Sequence, residues 1–71
     1  MYRLRSLRED HDCTQVFVSE YLSLRQNTYS QYESGKRQIP IEALIKLADL
    51  YETSTDYILG RTEVSKPYPR M

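Results

Sequence analysis

Residues 14–35 of the chain read TQVFVSEYLSLRQNTYSQYESG, and these residues are the strongest indication of the fold. Thr14 is a good N-cap for a helix that runs to Leu22, and Val18 and Leu22 face inward because they lie four residues apart. A short turn leads to a second helix, which ends at Gly35, a residue suited to the left-handed conformation that terminates helices. The stretch therefore predicts two short helices joined by a tight turn.

The second of these helices has two candidate starting points. In the first, Ser23 caps the helix and Gln26 completes a capping box three residues later. In the second, Arg25 is the cap and Leu24 forms a hydrophobic staple with Tyr29. We favour the second because it places the apolar side chains on the core side, although an arginine cap costs on the order of 1 kcal/mol relative to serine or threonine.

Three further helical segments surround this pair. One covers residues 2–10, and Pro40 suits the first turn of a fourth helix. The apolar stripe expected on the fourth helix comprises Ile41, Leu44, Ile45, Leu47, Ala48 and Tyr51. Ser54 caps a short fifth helix that ends at Gly60. No segment alternates between apolar and polar residues as a strand would, so the sequence predicts an all-α fold with four or five helices.

Length and composition bound the class of protein. Seventy-one residues suffice for one small domain, and 39% hydrophobic with 28% charged residues is typical of a soluble globular protein. We expect a cytoplasmic protein without a membrane partner, because no apolar run approaches the roughly 20 residues that span a bilayer and no signal peptide is evident. We expect the domain to cover residues 1–62, and residues 63–71, with two prolines, to form a short flexible tail.

The charge balance is neutral, with ten basic and ten acidic residues. Neutrality counts mildly against binding to nucleic acid, which usually requires a basic footprint. Three cations nevertheless bracket the second helix of the opening stretch: Arg25, Lys36 and Arg37. What matters for an anionic partner is whether these cations converge on one surface.

One short cluster, His11 to Cys13, contains the residue types of catalytic or metal chemistry. A single cysteine excludes an internal disulfide, and one histidine with one cysteine is too few for a zinc site. A Cys–His nucleophile pair has no supporting second element. We therefore expect Cys13 to pack as a small hydrophobic residue, and we expect no enzyme activity, metal or cofactor.

The second helix of the opening stretch also presents a polar face. Its uncharged hydrogen-bonding side chains are Gln26, Asn27, Ser30 and Gln31. An amide can both donate and accept, which suits reading the edges of bases in a DNA major groove. Taken without its context, however, a simple solvated helix face explains these side chains better.

The context is a resemblance that covers residues 4–62. The segments LRSLRED (4–10), TQ (14–15), ESGKR (33–37) and IEALIKLADLYETSTDYILG (41–60) together resemble the Cro/C1-type, or Xre-family, helix-turn-helix domain. The TQ pair is weak evidence alone, but the whole series at this spacing is specific. The resemblance implies a compact, five-helix, lambda-repressor-like domain in which helices two and three bind double-stranded DNA.

The resemblance also assigns roles to single residues. The positions implied to contact bases are Gln26, Asn27, Thr28, Ser30 and Gln31. The positions implied to contact phosphates are Thr14, Gln15, Arg25, Lys36 and Arg37. Arg8 and Glu33 match a pair that forms a buried salt bridge between helices one and three in relatives. Glutamine and asparagine pair bidentately with N6 and N7 of adenine, so the predicted base preference leans toward adenine.

Four positions depart from the family's pattern. Ser23 stands where a turn glycine is usual and Arg25 where a small polar cap is usual. Ser19 stands where alanine is usual, and Phe17 where glutamate is usual. We expect the fold to tolerate all four, with Phe17 as an exposed aromatic side chain.

These inferences lead to one expected function and three alternatives. We expect a transcriptional repressor that binds DNA as a homodimer, reads half-sites about 34 Å apart, and uses a dimer surface at Tyr51, Tyr57 and Ile58. The first alternative is an antitoxin of the same fold, which acts by blocking a toxin partner. The second is a protein-interaction module without DNA binding, and the weakest is an enzyme built on His11 and Cys13.

Overall fold

The computed structural model describes residues 2–69, and five helices account for its regular structure. In chain order they are α1 (Leu4–Asp10), α2 (Gln15–Tyr21), α3 (Gln26–Ser34), α4 (Ile41–Leu50) and α5 (Thr55–Leu59). No strand occurs between residues 2 and 69. The all-α class and the order of five helices, both predicted from the sequence, are confirmed. Only the first helix starts two residues later than expected.

Side-chain caps fix the start of two helices, and apolar packing fixes a third. The Thr14 hydroxyl accepts a hydrogen bond from the Phe17 amide at 3.0 Å, and Ser54 does the same for Tyr57 at the start of α5. Helix α3 begins after Arg25, whose side chain forms no capping bond. The second of the two predicted starts is therefore the correct one. Burial of apolar side chains outweighs the missing cap.

The turns use backbone conformations that most residues avoid. Gly35 and Gly60 end α3 and α5 with φ angles of 82° and 81°. Ser23, between α2 and α3, also has a positive φ of 57°. A residue with a Cβ atom pays about 1–2 kcal/mol for this conformation, so the serine turn is tolerated at some cost.

Buried side chains from all five helices form one core. Its hydrophobic members are Leu4, Leu7, Val18, Leu22, Tyr29, Tyr32, Ile39, Ala43, Leu44, Leu47, Ala48, Tyr51 and Ile58. Ser19, which replaces the usual alanine, is 2% exposed, and its hydroxyl donates to the Val16 carbonyl at 2.8 Å. Phe17 is about half exposed, as expected.

The expected stripe on α4 requires a correction. Ile41 and Ile45 are 67% and 50% exposed, whereas Ala43 is buried. The buried face is thus turned away from the two isoleucines, because Ala43 and Leu47 pack toward the core and leave the opposite edge uncovered. Pro40 is also placed differently, since it is the N-cap of α4 and not part of its first turn.

The expected dimer surface also requires a correction. Tyr51 and Ile58 are 3% and 0% exposed, so they belong to the core. Tyr57 is half-buried beneath the Arg3 guanidinium, which lies 4.1 Å from its ring centroid. Tyr51 and Ile58 therefore pack inside the domain and do not offer a surface to a second copy.

The segment after Gly60 lies against the rest of the domain. Arg3 donates to the carbonyls of Tyr57 at 2.6 Å and Thr62 at 2.9 Å, and its backbone amide donates to Ile58 at 2.7 Å. The Thr53 hydroxyl donates to the Ser65 carbonyl at 2.6 Å. The predicted boundary after residue 62 is therefore crossed by hydrogen bonds. Within residues 2–69, no helix combines the length and the apolar character needed to cross a membrane.

Candidate nucleic-acid interface

A buried ion pair ties α1 to α3. The Arg8 Nε donates to the Glu33 Oε2 at 2.6 Å, and a second guanidinium nitrogen donates to Oε1 at 3.2 Å. The third nitrogen donates to the Cys13 carbonyl at 3.0 Å, which brings in the loop before α2. The two side chains are only 13% and 5% exposed. The resemblance implies this buried ion pair, and its bidentate geometry fixes the orientation of α3 against the domain.

The same carboxylate also holds the start of α2. The Gln15 amide nitrogen donates to the Glu33 Oε1 at 3.1 Å. Burial alone would raise the pKa of the Glu33 carboxyl, but the hydrogen bonds from Arg8, with a smaller contribution from Gln15, hold that pKa below its usual range. Glu33 is therefore the point at which α1, α2 and α3 are joined.

Gln15 has a different local role from the one implied by the resemblance alone. One of its two amide hydrogens is used by Glu33, and its side chain is half-buried. The second hydrogen and the amide oxygen form no side-chain hydrogen bond within residues 2–69. Nothing in the sequence signals this contact, because the two residues are 18 positions apart and become neighbours only in the folded domain.

Helix α3 separates its residues into two faces. Tyr29 and Tyr32 are 0% and 7% exposed and pack in the core. The residues proposed to contact bases occupy the remaining face: Gln26 and Asn27 are exposed, and Thr28, Ser30 and Gln31 are partly exposed. None of these five side chains forms a hydrogen bond with another described residue. Their donors and acceptors are thus available to an external partner.

Three cations lie around this face. Arg25 precedes α3, and Lys36 and Arg37 follow it; all three are exposed. No carboxylate of residues 2–69 lies within ion-pair distance of any of them. The Arg37 amide donates to the Gln31 carbonyl at 3.2 Å, which holds the basic loop against the end of α3. An anion beside this face would therefore meet unpaired positive charge at both ends of the helix.

The cluster from His11 to Cys13 is used within the fold. The His11 Nδ1 lies 2.9 Å from the Leu7 carbonyl, and its ring centroid is 4.9 Å from that of Tyr51. The half-buried Cys13 packs against the core, and its thiol donates to the His11 carbonyl at 3.5 Å. Nowhere between residues 2 and 69 do three His, Cys, Asp or Glu side chains come together as a candidate metal site.

Comparison with known proteins gives relatives along most of the chain. ImmR of Bacillus subtilis strain 168, a helix-turn-helix transcriptional regulator, is 42% identical over 90% of this chain and 50% of its own length. YobD, an uncharacterized regulator of the same type and strain, is 38% identical over 92% and 58%. RstR, the cryptic phage CTXphi transcriptional repressor of Vibrio cholerae, is 34% identical over 83% and 53%.

The chain thus spans between half and three-fifths of the length of these relatives. No solved structure matches it significantly. The model of the helix-turn-helix family matches residues 4–58, which include all of α1 to α4 and most of α5. The chain therefore belongs to the Cro/C1-type helix-turn-helix family.

Proposed function

We propose that this chain is a cytoplasmic, sequence-specific regulator of transcription that places α3 in the major groove of double-stranded DNA. One observation carries the proposal. The polar face of α3 has no hydrogen-bond partner within the described domain and is flanked by unpaired cations, while its apolar face is locked in the core. The names of the relatives, all helix-turn-helix transcriptional regulators or a repressor, support the same function.

The proposed contacts are of two kinds, those to base edges and those to phosphates. Gln26, Asn27 and Gln31 read base edges, favouring adenine, with Thr28 and Ser30 completing the contact surface. Phosphate contacts come from Thr14, Gln15, Arg25, Lys36 and Arg37. Gln15 uses its second amide hydrogen for this purpose, and the outward N–H groups at the start of α2 assist it.

Repression by a homodimer is the finer part of the proposal. One domain with five base-contacting side chains offers too few contacts for a specific operator, and two copies on half-sites about 34 Å apart double them. A bound dimer would repress by occluding RNA polymerase from the promoter. The relative named as a repressor, RstR, supports this direction of regulation.

The test is selection of binding sites from random double-stranded DNA with the purified chain. We expect enrichment of an adenine-containing half-site repeated with two-fold symmetry. A variant with Gln26, Asn27 and Gln31 all changed to alanine should enrich nothing, whereas the matched control Gln38→Ala, an exposed amide outside α3, should enrich the same site. A wild-type chain that enriches no motif would favour the protein-interaction module, which the zero net charge permits.

The antitoxin alternative needs a surface for a toxin. An arm that folds onto a toxin would favour the antitoxin. The segment after Gly60 instead lies along the domain, where the Thr53 hydroxyl donates to the Ser65 carbonyl and the Tyr68 hydroxyl lies 3.2 Å from the Asp56 carboxylate. We therefore place the antitoxin second. Purification of a toxin bound to this segment would reverse that order.

A further inference from the structure

The outer face of α4 carries an unpartnered pair of isoleucines. Ile41, at 67% exposure, is the most exposed large hydrophobic side chain among residues 2–69, and Ile45 is 50% exposed. The two lie four residues apart, so they are neighbours on the helix surface. A contiguous exposed apolar patch that is rimmed by polar residues is typical of a surface that contacts another molecule.

Opposite charges stand at the same spacing beside these isoleucines. Glu42 follows Ile41, Lys46 follows Ile45, and both charged side chains are exposed. Although their i,i+4 spacing would allow an ion pair within the helix, no such pair lies within 4 Å, and neither side chain is paired to another described residue. Asp49 continues the exposed face one turn later.

From this spacing we infer that the α4 face binds the same face of a second copy of the chain. If two α4 helices meet antiparallel about a two-fold axis, Ile41 of one copy lies against Ile45 of the other. The same reversal brings Glu42 of one copy to Lys46 of the other, and the axis repeats each contact. A surface that is complementary to itself in this way is what an isologous dimer requires.

The proposal rests on the proposed homodimeric regulator and names the surface through which it pairs. The face that the sequence suggested, at Tyr51 and Ile58, is buried, whereas this one is open. The Tyr21 hydroxyl donates to the Lys46 carbonyl at 3.3 Å and extends the rim with a partly exposed ring.

The size of this face sets the strength of the pairing. Standard interfaces bury about 800 Å² on each partner, far more than two isoleucines and their neighbours provide. Pairing of the free protein is therefore weak and concentration-dependent. It strengthens on DNA with two half-sites, since the duplex holds two copies at a millimolar-range effective concentration.

Charge-reversal variants test this surface by self-association in the absence of DNA. Sedimentation equilibrium of the whole chain at low salt, over micromolar to millimolar concentrations, should show reversible self-association. Glu42→Lys alone and Lys46→Glu alone should each weaken it by about tenfold, because two attractions become two repulsions. An equimolar mixture of the two variants should recover association as a heterodimer, since every charge then meets its opposite.

Two controls separate the interface from folding. Ile45→Ser should also weaken association by about tenfold, while Val64→Ser, which alters an equally exposed side chain in the tail, should leave it unchanged. Thermal melting of each variant establishes that it is folded. A wild-type chain that stays monomeric throughout, or folded charge variants that fail to recover when mixed, would overturn the proposal.

The outcome is separable from that of the proposed function. Self-association with the expected charge pattern, but no DNA motif in the selection, would keep this surface and reject the DNA-binding function. Enrichment of a two-half-site motif by a chain whose charge variants behave as wild type would keep the function and reject this surface.

Discussion

The two faces of α3 differ in whether their side chains have partners within the domain. On the inner face, Tyr29 is fully buried and Glu33 is hydrogen-bonded to both Arg8 and Gln15. On the outer face, Gln26 and Asn27 are exposed and form no side-chain hydrogen bond within residues 2–69. The inner residues should thus control the stability of the domain, and the outer residues should control binding with little effect on stability.

Removal of the buried cation should have the largest effect. Arg8→Ala leaves the Glu33 carboxylate buried and without its main partner, so we expect the free energy of unfolding to fall by about 3–5 kcal/mol. The matched control is Arg5→Ala, whose exposed pair with Glu9 at 3.2 Å should contribute less than about 1 kcal/mol. Urea denaturation measures the free energy of unfolding of both variants. Similar losses of stability in the two would contradict the expected difference between buried and exposed ion pairs.

A change on the outer face should act on binding. Asn27→Ala is expected to weaken binding to the selected site by roughly 1–3 kcal/mol and to relax preference at one base position, because a bidentate amide contact is lost. Its unfolding free energy should stay within about 0.5 kcal/mol of wild type. Titration of fluorescent duplexes measures the first quantity. If Asn27→Ala keeps the wild-type base preference, the outer face has been assigned wrongly.

A cation beside the outer face should change the salt dependence. Lys36→Ala should weaken binding to all sequences alike and reduce the slope of log K against log salt by about one unit, since one phosphate contact is lost. Lys66→Ala, an exposed lysine in the tail, serves as the control and should keep the wild-type slope. An unchanged slope for Lys36→Ala would remove it from the phosphate contacts.

The smallest change to the inner face of α3 is the addition of one proton to the Glu33 carboxylate. Because the folded pKa of this carboxyl lies below its usual value near 4.3, the ion pair contributes stability that is present above that value. This contribution is lost as pH falls through the folded pKa. The free energy of unfolding should therefore fall less steeply with decreasing pH in Glu33→Gln than in wild type. If the two proteins lose stability equally as the pH falls, the lowered pKa of Glu33 is contradicted.

Much of this fold is predictable because its signals are local. Thr14 and Ser54 mark helix starts through hydrogen bonds to amides three residues later, and Gly35 and Gly60 mark helix ends through their left-handed backbone. The separation of tyrosines from amides on α3 follows from helical periodicity alone. The prediction that the amide face binds DNA came from the family resemblance, because periodicity alone favours a simple solvated helix face.

The wrong predictions concern burial, which depends on how separate helices pack and not on local signals. Ile41 and Ile45 fit the apolar period of α4, yet they are exposed, because periodicity does not say how wide a stripe the neighbouring helices cover. The sequence analysis places Tyr51 and Ile58 at a dimer surface, but both are buried in the core. The number of apolar residues on a helix does not decide which of them are covered.

The helices, their caps and the side chains on each face of α3 are predictable from the sequence, since these depend on residues within one or two turns. Packing of the whole domain is what places Gln15 against Glu33, joins Arg3 to α5 and the segment after it, and leaves Ile41 and Ile45 exposed on α4. Those features depend on contacts between residues far apart in the chain, which spacing along a single helix does not encode.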